Sequence, residues 1–156
     1  MEHPQRAIDS SATGEPARIV VREGLLEVAG EVTLHHGGRL PSARIAWRME
    51  GPAAAPVVVA LGGISAGRRV FGTQAGEGWW NEVAGPGRAL DATRWRILSF
   101  DYLGGSGEST GPQAGDVFPA VSSYDQADAL LRLLNHLGVK ALQGIVGASY
   151  GGMVAL

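Results

Sequence analysis

Residues Gly147-Ala148-Ser149-Tyr150-Gly151 place one hydroxyl between glycines at the end of an apolar run, Leu142 to Val146. This G-x-S-x-G pattern does chemistry when it joins a strand to a helix, because the serine then sits on a strained turn and the glycines relieve the crowding around it. The following "GGMVAL" can open such a helix. The same turn aims the backbone N–H of Tyr150 toward the position where a tetrahedral oxyanion would develop. Ser149 is therefore a candidate nucleophile for acyl transfer or ester hydrolysis. The competing reading is a serine that merely caps the next helix.

A second candidate is Leu61-Gly62-Gly63-Ile64-Ser65, at the carboxyl end of the apolar run Val57 to Leu61. Open parallel sheets gather ligands outside the carboxyl ends of their strands, so this loop and the Ser149 turn should face one crevice. Gly62 and Gly63 would let backbone approach a substrate carbonyl, and the Gly63 N–H is the candidate second oxyanion donor. With Ile64 and Ser65 they form the expected substrate-binding loop. A glycine turn that only redirects the chain is the alternative.

Other residues carry weaker signals. Gly105-x-Gly107-x-x-x-Gly111 looks superficially like a nucleotide loop, yet Pro112 and "QAGDVFPAV" continue it as loop where a phosphate cradle needs a helix. It reads as a border of the same pocket, with Asp101 holding it through backbone hydrogen bonds. His136 falls near a helix C-terminus, where a cation suits the dipole. His35 and His36 are consecutive and expected to point to opposite faces, a poor chelate, so no metal site is expected. Trp79, Trp80 and Trp95 read as core or loop anchors, since no basic residues interleave with them.

The elements that must position these residues follow from patterning. "ARIVVREGLLEVAGEVTLHHG" and "SARIAWRME" alternate as antiparallel strands do. "VVVAL" is a continuous apolar run, expected of a strand buried on both faces by helices, and "RWRILSFD" and "LQGIVGA" repeat the pattern. Between the last two, Ala127, Leu130, Leu131, Leu134 and Leu137 fall at helical spacing, with Ser123 and Gln126 as a capping box and Gly138 at the C′ position. Apolar strands separated by a helix imply an α/β fold with a parallel sheet. Residues 1–16, polar and rich in Pro and Ser, are expected to be a disordered leader, and residues 17–156 the domain.

Composition narrows the function. A formal charge of −2 leaves no basic footprint for nucleic acid or an anionic membrane, so a small-molecule partner is expected. Zero cysteines exclude a thiolate nucleophile and suit a cytoplasmic protein. The N-terminal residues lack the apolar core of a secretory signal, and no run approaches the roughly 20 apolar residues of a membrane span.

From about Pro56 to Leu156 the chain resembles the homoserine O-acyltransferase family of the α/β-hydrolase fold. The likeness is carried by "GWWNEVAGPGRALDATRWRILSFDYLGGSGESTGP", by the "FPAVSSYDQADALLRLLNHLGV" helix and by "GASYGGMVAL", in that order. Members that use acetyl-CoA tend to carry H-A-L-T-G where this chain has Leu61 to Ser65, and Glu108 replaces a glycine of the S-T-G-P loop. "GGIS" looks like the succinyl-using branch. The resemblance implies methionine biosynthesis and a ping-pong transfer from acyl-CoA, as co-substrate, through acyl-Ser149 to the hydroxyl of homoserine, with no bound cofactor and a homodimeric full-length enzyme. Serine as acceptor, a plain esterase and a non-catalytic remnant remain alternatives. In this fold the triad order is Ser, Asp, His, and no histidine follows Ser149. The acid and base are therefore expected beyond residue 156, with the sheet incomplete: an N-terminal portion ending just after the nucleophile turn.

Overall fold

The computed structural model describes residues 18–72, 76–115 and 117–156. The expected leader, 1–16, lies outside the described residues. In chain order the elements are β1 (Val20–Val28), β2 (Val32–Thr33), β3 (Arg39–Leu40), β4 (Ala43–Gly51), β5 (Val57–Leu61), β6 (Ala84–Gly85), β7 (Leu90–Asp91), β8 (Arg96–Phe100), α1 (Ser123–His136), β9 (Gly144–Gly147) and α2 (Tyr150–Ala155).

Five strands form one mixed sheet in the order β1-β4-β8-β5-β9. β1 and β4 pair antiparallel, as their alternation predicts, and β4 pairs antiparallel with β8. β8, β5 and β9 run parallel. From β5 the chain moves to one neighbour, β8, then crosses back through α1 to the other, β9. This reversal brings the exits of β5 and β9 side by side, where open α/β sheets bind ligands.

All five residues of β5 are buried. Val57, Val59 and Leu61 pack with Leu130 and Leu133 of α1 and Val154 of α2, while Val58 and Ala60 pack with Val70, Phe71, Ala84 and Leu90. The expectation of helices on both faces is thus corrected on the second face. An irregular segment covers it, pinned by backbone hydrogen bonds from Trp80 to Val70 and from Leu90 to Val83 and by the stacked rings of Trp79 and Trp80. β9 also departs from the continuous-burial reading: its residues alternate between half-buried and exposed, because it pairs with β5 on one side and no other described strand adjoins it.

Helix α1 is capped one residue earlier than its sequence suggests. Ser122, extended at φ −104 and ψ 173, caps the helix in a reciprocal box with Asp125. Gln126 is released from the expected role, and Leu131 faces solvent while Leu133 takes the buried position. At the other end Gly138 and Val139 donate to Asn135 and Leu134, closing the helix as the C′ glycine predicts.

Candidate active site

The chain leaves β9 at Gly147 and enters α2 at Tyr150, so Ser149 occupies the N-cap position. Its backbone, φ 54 and ψ −119, is the only non-glycine conformation with positive φ among the described residues. Such a conformation costs about 1–3 kcal/mol and persists only where its surroundings over-determine it. The surroundings here are backbone. A Cβ on Gly147 would lie 2.5 Å from the Gly151 carbonyl oxygen, and one on Gly151 would lie 2.2 Å from that of Leu61. Both glycines of G-x-S-x-G are therefore required by close approach. Ser149 is exposed, and its hydroxyl makes no capping hydrogen bond.

Two hydrogen bonds tie this turn to the exit of β5. Ala148 N–H donates to Leu61 O at 2.9 Å, and Gly151 N–H donates to Gly62 O at 2.9 Å. The loop Leu61 to Ser65 and the Ser149 turn thus share one crevice. Within the loop the two glycines differ. A Cβ on Gly62 would meet Ala66 Cβ at 2.4 Å and the Trp79 ring at 3.0 Å, whereas one on Gly63 would meet nothing within 4 Å. Gly62 is packed and Gly63 is open. Among the described residues neither the Gly63 nor the Tyr150 N–H donates to another backbone group. Ile64 and Ser65 are exposed at the tip.

The wall of the crevice comes from the loop after β8. Asp101, 3% exposed, accepts from Arg68 N–H at 2.7 Å and Glu108 N–H at 2.9 Å, and it pairs with the Arg68 guanidinium. Its carbonyl accepts from Ser109 Oγ at 2.5 Å. Asp101 therefore holds the loop, as expected. Arg68 also pairs with Glu108 at 2.8 Å and lies 3.9 Å from Glu23. Gln126, 1% exposed, clamps Leu103 with both ends of its amide, at 3.0 Å and 2.8 Å.

Two tyrosines meet beneath the crevice. Tyr102, 4% exposed, donates its hydroxyl to Gly62 O at 2.9 Å, and its ring stands edge-on to Tyr150 with centroids 5.2 Å apart. Burial, reinforced by Tyr150, pushes the Tyr102 phenol up to about 12, so it remains a donor at neutral pH. Tyr102, Tyr150 and Ile64 share a cleft of about 160 Å³ with Leu103, Phe118 and Gln126. Tyr102, Gln126 and Arg68 are absent from the sequence-derived site. The strand-end position of "DY" in "SFDYLGG" was the available signal for Tyr102.

The histidines stand elsewhere. His136 is exposed at the end of α1, and His35 stacks on Tyr124 at 4.5 Å. The His35 and His36 rings meet edge-to-face at 5.0 Å, which corrects the expectation that they point apart: they lie in a turn, not a strand. Among the described residues no group of three or more His, Asp or Glu is gathered as a metal site, and no helix is long and apolar enough to cross a membrane.

A strained serine between backbone-crowded glycines, reached from a parallel strand, is the arrangement of one broad fold family, and the alpha/beta hydrolase fold matches residues 56–156. The chain belongs to the alpha/beta hydrolase fold family. Within that family the likeness to homoserine O-acyltransferases is borne out. A homoserine O-succinyltransferase of Xanthomonas campestris is 37% identical over 83% of this chain and 33% of its own length. A serine O-succinyltransferase of Xylella fastidiosa is 33% identical over 79% of the chain and 37% of its own. The crystal structure of homoserine O-acetyltransferase from Staphylococcus aureus superimposes with a TM-score of 0.74 at 26% identity, covering 88% of this chain and 41% of that one. The chain thus spans between about a third and two fifths of the length of these hydrolase-fold relatives.

Proposed function

We propose that this chain supplies the nucleophile and oxyanion hole of an acyltransferase that moves an acyl group from acyl-CoA to the hydroxyl of L-homoserine. The observation that carries the reading is the strained, uncapped Ser149 beside the open Gly63. Ser149 Oγ attacks the thioester carbonyl, and its proton passes to a base. The N–H groups of Tyr150 and Gly63 receive the negative charge of the tetrahedral intermediate, the C–S bond breaks, and CoA leaves as the thiol. The acceptor hydroxyl then attacks the acyl-serine and frees Ser149. Gly62, Ile64 and Ser65 border the acyl group.

Succinyl-CoA is the favoured donor and acetyl-CoA the second, in keeping with the "GGIS" loop and the succinyltransferase names of two relatives. Serine as acceptor is a second reading, supported by the Xylella relative. Because the base follows the nucleophile in this fold and no histidine follows Ser149, residues 1–156 by themselves should release no CoA.

The test offers the gene product, at its full encoded length, succinyl-CoA or acetyl-CoA with homoserine or serine, and follows CoA release. Release that needs homoserine and drops on the order of 10⁴-fold in Ser149→Ala is expected. Activity that survives Ser149→Ala sinks the reading.

A further inference from the structure

The Gly62 carbonyl oxygen accepts twice, from Gly151 N–H and from the Tyr102 hydroxyl, each at 2.9 Å. That oxygen belongs to the same peptide unit as the Gly63 N–H. A trans peptide is planar, with C=O and N–H pointing in opposite directions, and no peptide among the described residues is cis. Fixing the oxygen therefore fixes the hydrogen. Two donors against Gly62 O hold this plane by its inner edge, and the N–H points the opposite way, out of those two contacts.

Without these anchors the plane would be poorly determined. Gly63 contributes no side chain to hold it, and its surroundings are open. A glycine pair can rotate the intervening peptide at little steric cost. The Gly151 bond alone leaves rotation about its own axis. The Tyr102 bond, arriving from β8's exit 40 residues away in sequence, removes that freedom. Hydrogen bonding to a carbonyl also polarises its peptide, which strengthens the N–H as a donor.

We infer that Tyr102 is a positioning residue for acyl transfer: its buried hydroxyl, through the shared Gly62–Gly63 peptide, aims and polarises the Gly63 N–H toward the oxyanion. This deepens the proposed function and rests on it. Tyr102 touches no reacting atom; it acts through Gly62 O.

The test compares Tyr102→Phe with the parent at full encoded length. Active sites are counted by the acyl-CoA burst, so that misfolded protein does not enter kcat. Because removing an oxyanion donor outright costs 10²–10³-fold, losing its aim should lower kcat about 10- to 100-fold while KM for acyl-CoA changes less than about twofold. An unchanged kcat, or a loss carried by KM alone, overturns the inference. Should Tyr102→Phe fail to fold, 3-fluorotyrosine at position 102 keeps the ring and sharpens the donor. Its kcat per active site should then rise, and an unaltered kcat overturns the inference. Ser149→Ala in the same assay separates the two ideas: activity without Ser149 removes the proposed function itself, whereas an inactive Ser149→Ala with an unaffected Tyr102→Phe removes only the role of Tyr102.

Discussion

Both α-helices among the described residues are preceded by a serine at the N-cap, and the two serines are treated in opposite ways. Ser122 sits in relaxed extended backbone and spends its hydroxyl on Asp125, which answers in kind. Ser149 sits at φ 54 with no capping bond, on a turn that neighbouring backbone forces. One serine satisfies the helix end and the other is withheld from it. The difference shows where stability has been given up, and unspent hydrogen-bonding capacity in a strained residue is what a nucleophile requires.

The contrast can be broken most severely at Gly151. Placing a Cβ 2.2 Å from Leu61 O forces β5 and α2 apart, so Gly151→Ala should lose about 3 kcal/mol of unfolding free energy in urea. It should also abolish CoA release. At α1, Ser122→Ala should cost about 1 kcal/mol, the ordinary value of a lost cap, with kcat unchanged. Ser149→Gly sharpens the comparison by reversing its sign. Relief of the positive φ outweighs the added chain entropy, and the variant should melt higher, by up to about 1 kcal/mol, while losing all turnover. A stability equal to or below the parent would mean that the turn stores no strain.

The smallest effect is in pH. Burial opposes ionisation of Asp125, yet the N–H groups of Ser122 and His35 hold its carboxyl below the usual range. A carboxyl depressed in the folded state stabilises above its unfolded value, about 3.9, and that contribution disappears as pH falls through the lower folded value. Melting temperature should therefore drop more between pH 5 and pH 2 in the parent than in Asp125→Asn.

How much of this was legible in the sequence depends on where each partner sits. The Ser149 turn could be read because its strand, glycines and helix are contiguous. The antiparallel pairing of β1 with β4 and the buried β5 followed from local patterning for the same reason. The capping register of α1 differs from the expected pair, Ser123 with Gln126, because "SSYDQ" also holds Ser122 three residues before Asp125. The choice is made outside the helix: Gln126 is needed by the backbone of Leu103. Leu133 rather than Leu131 is buried, in the cluster that packs against β5. For Tyr102 the sequence offered only its strand-end position, since its partner is a main-chain oxygen on another strand's exit. Likewise the cover over Val58 and Ala60 lacks periodicity, so no pattern announced it.

Arg68 has a consequence for how this sequence can diverge. Its one guanidinium neutralises the buried Asp101 and also meets Glu108. Losing the arginine alone would strand a carboxylate inside the protein, a penalty large enough to be purged. Substitutions at 68 and 101 should accordingly travel together among descendants, whereas Glu108, two-thirds exposed, can change without them.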